Sequence, residues 1–167
     1  MGRVGLRRLE FLLESLSTDL ALGGGTTLYG YKRKVLAKTA NYTATSADSG
    51  AVIQVNPAAT TLIQLPGASA AGAGWWITIV ITEDDGGAMD NIVNIGTLAG
   101  EFFNGILAGA DGGGSSIANG TSNDFVNCKA TAKSGERFDI FSDGTRMHCT
   151  GIIEDASDTL FANTAAS

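Results

Sequence analysis

Short runs of apolar residues, separated by turn-forming residues about every ten positions, dominate the chain from residue 41 onward. The most apolar run is Trp75–Thr82, in which nearly every residue is β-branched or aromatic, as expected of a central strand. Asp143-Gly144 separates two further apolar runs, Phe138–Phe141 and Met147–Cys149, and predicts a two-residue hairpin turn. This pattern predicts an antiparallel β-sandwich or barrel, and the absence of alternating helices disfavours a parallel α/β fold.

The other predicted strands are short, and each ends at Gly, Pro, Asn, Asp or Ser. Two segments are less regular: Phe102–Leu107 is either a short strand or a turn, and Ala108–Asn123 has the composition of a Gly/Ser loop. The remaining predicted strands are Tyr42–Thr45, Val52–Val55, Thr60–Leu65, Asn91–Ile95, Asp124–Ala130, Ile152-Ile153 and Leu160-Phe161.

Near the start of the chain, leucines recur at steps of three and four, which is the spacing of one helix face. They predict an amphipathic helix from about Val4 to Leu16, and Gly23-Gly24-Gly25 forms a flexible break after it. A helix this short needs a partner for its apolar face, either its own domain or another subunit, and the glycine break favours the second. The leucines are Leu6, Leu9, Leu13, Leu16 and Leu20.

Charge divides the chain in the same place. Residues 1–38 carry seven basic and three acidic groups, whereas the rest carries four basic and fourteen acidic groups, for a net charge of −6. We therefore assign residues 1–40 to a helix, hinge and basic arm that act as an anchor, and residues 41–167 to a β-sandwich domain. The basic end either meets an acidic surface or assembly, or is simply a solvated Arg-rich helix.

Composition excludes several classes of function. The acidic body would repel phosphates, so we expect no nucleic-acid partner. No apolar run of about 20 residues is present, so we expect no membrane span. Glu10 and Glu14 interrupt the stretch where a signal peptide needs its apolar region, which indicates folding in a cytoplasm. Cys128 and Cys149 are expected to be small buried hydrophobes, although the sequence leaves their pairing open.

Candidate chemistry is sparse. His148 and Cys149 are adjacent in a strand, so their side chains point to opposite faces and do not form a catalytic dyad. The acidic segment Glu83–Gly87 is either a solvated turn or a weak Ca²⁺ candidate, and the turn is favoured. Of Trp75 and Trp76, one should lie in the core and the other at an edge or a subunit contact, and a single exposed Trp does not make a glycan site. We expect no enzyme, no cofactor and no metal.

Turn and strand motifs follow one another in a characteristic order at Tyr42, Thr43, Ala47–Gly50, Val52, Ile53, Leu65-Pro66, Trp75–Thr82, Asn91-Ile92 and Ser142–Thr145. Together they resemble small β modules in the virion proteins of tailed bacteriophages, which occur in tail fibres and in head decoration proteins. The resemblance covers about residues 41–151 and implies a jelly-roll-like antiparallel β-sandwich, commonly assembled as a homotrimer, without catalysis. Met147-His148 stands where the family often has Trp or Tyr.

These observations predict a virion structural protein, most simply a capsid decoration (cement) protein assembled in the cytoplasm of the host bacterium. Its expected partners are the major capsid protein and sibling subunits in a homotrimer. The alternative is a tail-fibre or adhesin module that binds a host surface glycan. The residues expected to dock on a partner are Leu6, Arg7, Arg8, Leu9, Phe11, Leu13, Leu16, Tyr29, Tyr31, Lys32, Arg33 and Lys34.

Overall fold

The computed structural model describes residues 32–83, 89–110 and 115–166. The chain divides into two units, Met1–Lys32 and Arg33–Ser167, and the predicted helix and glycine break lie outside the described residues. The described part of the second unit is mostly β-structure. Its strands are β1 (Val35–Lys38), β2 (Tyr42–Thr43), β3 (Val52–Val55), β4 (Thr61–Gln64), β5 (Trp76–Ile81), β6 (Val93–Gly96), β7 (Phe103–Gly109), β8 (Ser115–Asn119), β9 (Phe125–Cys128), β10 (Arg137–Ser142), β11 (Met147–Ile153) and β12 (Thr159–Ala162).

The strands form two sheets. A seven-stranded sheet has the order β1-β3-β5-β10-β11-β7-β8, and a five-stranded sheet has the order β12-β9-β6-β4-β2. The predicted all-β sandwich is confirmed at this level. A 3₁₀ turn at Ser46–Asp48 and a four-residue helix, α1 (Ala68–Ala71), connect strands at the margins.

The sheets are mixed, so the expectation of purely antiparallel pairing was wrong. β1, β3 and β5 are parallel neighbours in one sheet, and β2, β4 and β6 are parallel neighbours in the other. From β1 to β6 the chain alternates between the two sheets. Each intervening strand, in the other sheet, brings the chain back to the end of the sandwich from which it started. The next strand of the first sheet therefore runs in the same direction as the previous one and pairs with it in parallel.

The predicted hairpin is present as β10 and β11, whose register pairs Ser142 with Met147. Its loop is longer than the predicted two residues. Gly144 has a φ of 89°, whereas Asp143 does not adopt a positive φ. The carboxylate of Asp143 accepts hydrogen bonds from the N–H groups of Thr145 and Arg146, both at 2.7 Å. The turn is therefore closed by one left-handed glycine and one side chain.

The predicted Gly/Ser loop contains two pieces of regular structure. β7 extends to Gly109, and β8 pairs with it antiparallel, aligning Ile106 with Ile117. The composition misled because β8 is an edge strand, where small polar residues are tolerated on a strand that has one hydrogen-bonded neighbour. Residues 102–107, left open between strand and turn, belong to the strand from Phe103 onward.

The hydrophobic core lies between the two sheets and follows the alternation of each strand. Trp75 is 3% exposed and Trp76 is 42% exposed, which confirms that the pair splits between core and surface. Cys128 and Cys149 are free and buried. The largest fully buried side chains are Phe103, Phe138, Ile53, Ile63, Leu65, Ile77, Ile79, Ile81, Met89, Ile95, Leu107 and Ile140.

Candidate functional site

Nine of the twelve predicted docking residues lie outside the described part of the chain. Of the three that are described, Lys32 is the last residue of the first unit, and Arg33 and Lys34 begin the second unit just before the edge strand β1. Lys32 is exposed, Arg33 is partly buried and Lys34 is exposed. The nine others are Leu6, Arg7, Arg8, Leu9, Phe11, Leu13, Leu16, Tyr29 and Tyr31.

Arg33 binds its own sandwich. Its guanidinium donates to the carbonyl oxygens of Gly50 at 2.9 Å and Ala51 at 2.8 Å, and to the Thr78 hydroxyl at 3.0 Å. The same group lies 4.3 Å from the centroid of the Trp76 ring, in cation–π geometry. Arg33 thus fastens the start of β1 to β3 and β5 and covers part of the exposed tryptophan.

Lys34 belongs to a polar cluster centred on Asp48, a buried carboxylate. Asp48 accepts the Lys34 ammonium at 3.2 Å, the Tyr42 hydroxyl at 2.9 Å and the Thr45 N–H at 2.9 Å. Burial acts to raise the pKa of Asp48, but these hydrogen bonds outweigh it and leave the pKa below its ordinary 3.8. Asp48 therefore stabilises the turn between β2 and β3.

The outward side of the seven-stranded sheet, here called the outer face, carries an unusual set of apolar side chains. Seven large apolar side chains are exposed in the described residues, and six of them lie on this face, Leu98 being the other. Strand register places them together: Trp76 faces Phe141, and Ile106 faces Ile117. The six are Val35, Trp76, Ile106, Ile117, Phe141 and Ile152.

A shallow hollow of about 350 Å³ lies on the outer face between β5, β10 and β11. Trp76, Phe141, Asp139 and Thr150 contribute to its lining. Asp139 accepts the Thr78 hydroxyl at 2.6 Å and pairs with the Arg137 guanidinium at 3.0 Å. Burial acts to raise the pKa of Asp139, but these two bonds outweigh it and lower the pKa. The charged group that lines the hollow is thus already paired with a neighbouring side chain.

His148 has a structural partner on the same face. Its Nε2 lies 2.9 Å from the Asp143 carboxylate, and its ring stacks on Phe141 with centroids 4.6 Å apart. The hydrogen bond to His148, followed by those from the turn N–H groups, lowers the pKa of Asp143 to about 2. Cys149 is buried on the opposite side of β11, so His148 and Cys149 point apart as predicted.

Neither cysteine thiol is expected to act as a nucleophile. Burial raises the pKa of Cys128 and of Cys149 well above the ordinary thiol value, so neither supplies a thiolate near neutral pH. Glu136 is buried near Cys128, and its carboxyl accepts the Thr159 hydroxyl at 2.6 Å and the Glu154 N–H at 3.1 Å. Burial raises the pKa of Glu136 above 4.5 because the two hydrogen bonds compensate only part of the lost hydration.

Replacing Glu136 with glutamine is expected to stabilise the sandwich by about 1 kcal/mol near neutral pH, because the amide avoids the cost of a buried charge. The raised pKa means that the wild-type carboxyl is favourable well below pH 4.5 and becomes less so as pH rises through its folded pKa. The gain should therefore shrink towards zero in acid. Urea unfolding of E136Q near neutral pH and in acid measures this gain, with D90N at an exposed position as the control. An equal gain under both conditions would contradict the prediction.

The sequence also offered Glu83–Gly87 as a weak Ca²⁺ candidate, and residues 84–88 lie outside the described residues. Across the ranges that are described, no group of three or more His, Cys, Asp or Glu side chains is arranged to hold a metal ion. The described helices include none that is long and apolar enough to cross a membrane. Comparisons with family models, curated proteins and solved structures find no match to this chain.

Proposed function

We propose that the protein is a structural component of a bacteriophage particle, specifically a capsid decoration (cement) protein. It docks on the head through its N-terminal segment and stabilises the shell. Its partners are the major capsid protein and sibling subunits in a homotrimer, and it is assembled into virions in the bacterial cytoplasm. The proposal requires neither catalysis, nor a cofactor, nor nucleic acid or membrane binding, and it needs a rigid β-sandwich whether or not the strands follow a jelly-roll order.

The observation that carries the proposal is how the described sandwich distributes its polar and apolar groups. Asp48 and Asp143 accept hydrogen bonds that hold turns, and Asp139 accepts one that links the interior strands β10 and β5. Apolar side chains are instead left on the outer face, where an assembly protein needs contact area. This distribution favours a module that supports and contacts other proteins.

The division of charge supports an orientation on the particle. Residues 1–38 are net basic and the remainder is net acidic. A basic, leucine-rich segment suits a docking site with acidic and apolar surface, whereas an acidic body suits an outward position in water. The glycine break at residues 23–25 would allow the body to stand away from its anchor.

A second candidate function is a tail-fibre or adhesin module that binds a host glycan. Trp76 beside Phe141, at the margin of a hollow of about 350 Å³, is the feature that favours it. The contact of Arg33 with the Trp76 ring reduces the area on which a sugar ring would stack. A glycan array probed with the full chain tests this function: sugar binding that W76A removes and L98A retains would support it.

Removing residues 1–24 is expected to abolish binding to particles that lack the protein, because the leucine stripe and three arginines would be lost. Co-sedimentation with such particles measures the effect. In the full-length chain, L9E and L13E should also weaken binding by roughly tenfold or more, since each places a charge in the apolar stripe. E14Q, on the opposite face, is the matched control. Unchanged binding of both the truncated chain and L9E would rule out the anchor.

A further inference from the structure

We infer that the outer face of the seven-stranded sheet is a contact between copies of this chain. The inference deepens the proposed function by assigning the surface through which sibling subunits meet. It rests on the proposed function only for the kind of particle in which those subunits assemble. Its starting point is the concentration of six of the seven exposed large apolar side chains of the described residues on one side of one sheet.

The apolar residues span the sheet from edge to edge. Val35 lies on the edge strand β1 and Ile117 on the opposite edge strand β8, and the central strands contribute Trp76, Phe141 and Ile152. Seven strands span roughly 29 Å, and with about five residues along each strand the face projects an area of roughly 500 Å². A standard interface buries roughly 800 Å² per partner, so this face alone supplies more than half of that area.

Charge favours the outer face over the rest of the body as the place where two copies meet. Residues 39–167 hold four basic and fourteen acidic groups, so two copies repel each other across most of their surfaces. The charged side chains at the outer face include Arg137 and Asp139, which pair at 3.0 Å, and Arg33, which lies over the Trp76 ring and donates to the Gly50 and Ala51 carbonyls and the Thr78 hydroxyl. Together these three groups leave one net positive charge, on an Arg33 that is already hydrogen-bonded, so two copies meet here with less like-charge repulsion than across their acidic surfaces.

Shape gives a second argument. Ile117 is 68% exposed and is the most exposed large apolar side chain on the face, whereas Trp76 and Phe141 border an apolar hollow of about 350 Å³. A projecting aliphatic side chain and a hollow on one surface are complementary elements, and a symmetric oligomer requires such self-complementarity. Asp139, the charged group that lines the hollow, is bonded to Thr78 and to Arg137 beside the hollow, which leaves it poorly placed to bind sugar hydroxyls.

The test is the oligomeric state of the full-length chain, free of particles, by sedimentation equilibrium across micromolar concentrations. The wild-type chain should form a closed oligomer. I106K on β7 and I152K on β11, both at exposed positions of the face, should each weaken the association constant by roughly 100-fold, because each buries an unpaired charge. L98K is the matched control: Leu98 is 50% exposed but lies off the face, so association should be unchanged. Circular dichroism and cooperative unfolding verify that each variant is folded.

A wild-type chain that remains monomeric would overturn the inference. So would an oligomer that folded I106K and I152K leave intact, or one that is lost only when residues 1–24 are removed, since the contact would then lie elsewhere. Particle binding separates this inference from the proposed function. If I106K dissociates the oligomer but the wild-type chain binds no particle, only the proposed function is refuted. Particle binding by a chain whose oligomer resists I106K removes the inference alone.

Discussion

Replacing Gly105 with alanine is expected to destabilise the protein by at least about 4 kcal/mol, or to prevent folding altogether. Gly105 pairs with Cys149 where β7 runs parallel to β11. A Cβ at this position would lie 1.8 Å from the Cys149 carbonyl oxygen and 2.7 Å from its carbonyl carbon. Both atoms belong to the backbone of β11, which β10 holds on its other side. The clash can be relieved only by separating two central strands.

Gly67 is the matched control. A Cβ there would approach a carboxylate oxygen of Glu101 and a methyl carbon of Leu98, each at 3.1 Å. Both are ends of flexible side chains, so G67A should change the free energy of unfolding by no more than about 1 kcal/mol. Urea unfolding of the two variants gives the comparison. If G105A unfolded like the wild type, the parallel pairing of β7 with β11 would be incorrect.

The sequence predicted those elements whose signals are local. The hairpin follows from Asp143-Gly144 between apolar runs, and the central strand follows from the β-branched residues of Trp76–Ile81. The turn at residues 46–50 likewise follows from small and polar residues, with Gly50 at a φ of 81°. Each depends on interactions between residues only a few positions apart, which a single sequence displays directly.

Strand order could not be predicted in the same way. β7 and β11 are parallel neighbours although about 40 residues separate them, and β1 joins β3 across an intervening strand of the other sheet. No turn motif in the sequence identifies such pairs of strands, because parallel neighbours are connected through other elements and not by a tight turn. The glycine that permits the closest approach, Gly105, is one of 23 glycines, and its requirement is visible only once Cys149 lies beside it.

The outer face was missed for the same reason. Alternation along β5 shows that one of Trp75 and Trp76 points outward, but not that Phe141 lies next to it. Ile106 and Ile117 lie in segments whose composition suggested a turn or loop. The sequence did contain one signal for this face. Phe141 and Ile152 are apolar residues at outward-facing positions of strands whose inward-facing positions are already apolar. Collecting these positions into one surface required the order of the strands.

Replacing Asp48 with alanine is expected to destabilise the sandwich by about 3 kcal/mol, because it removes a buried charged acceptor with several donors. The Thr45 N–H and hydroxyl, at 2.9 and 3.1 Å, and the Tyr42 hydroxyl, at 2.9 Å, would all lose their acceptor. Little of the loss should come from Lys34, whose side chain is 59% exposed and therefore well screened by water. The exposed D90A should change stability by less than about 0.5 kcal/mol.

The D48N variant and the pH dependence separate charge from shape. The lowered folded pKa means that the carboxylate stabilises the wild type above pH 3.8 and that this contribution is lost as pH falls through the folded value. D48N retains an acceptor oxygen, so it should lose only about 1–2 kcal/mol near neutral pH. Its deficit should narrow as the pH falls below 3.8 and the wild-type carboxylate progressively loses its advantage. Urea unfolding near neutral pH and near pH 3 measures both effects. A deficit in D48N that is independent of pH would mean that the charge of Asp48 contributes nothing, and that the turn between β2 and β3 depends on side-chain shape alone.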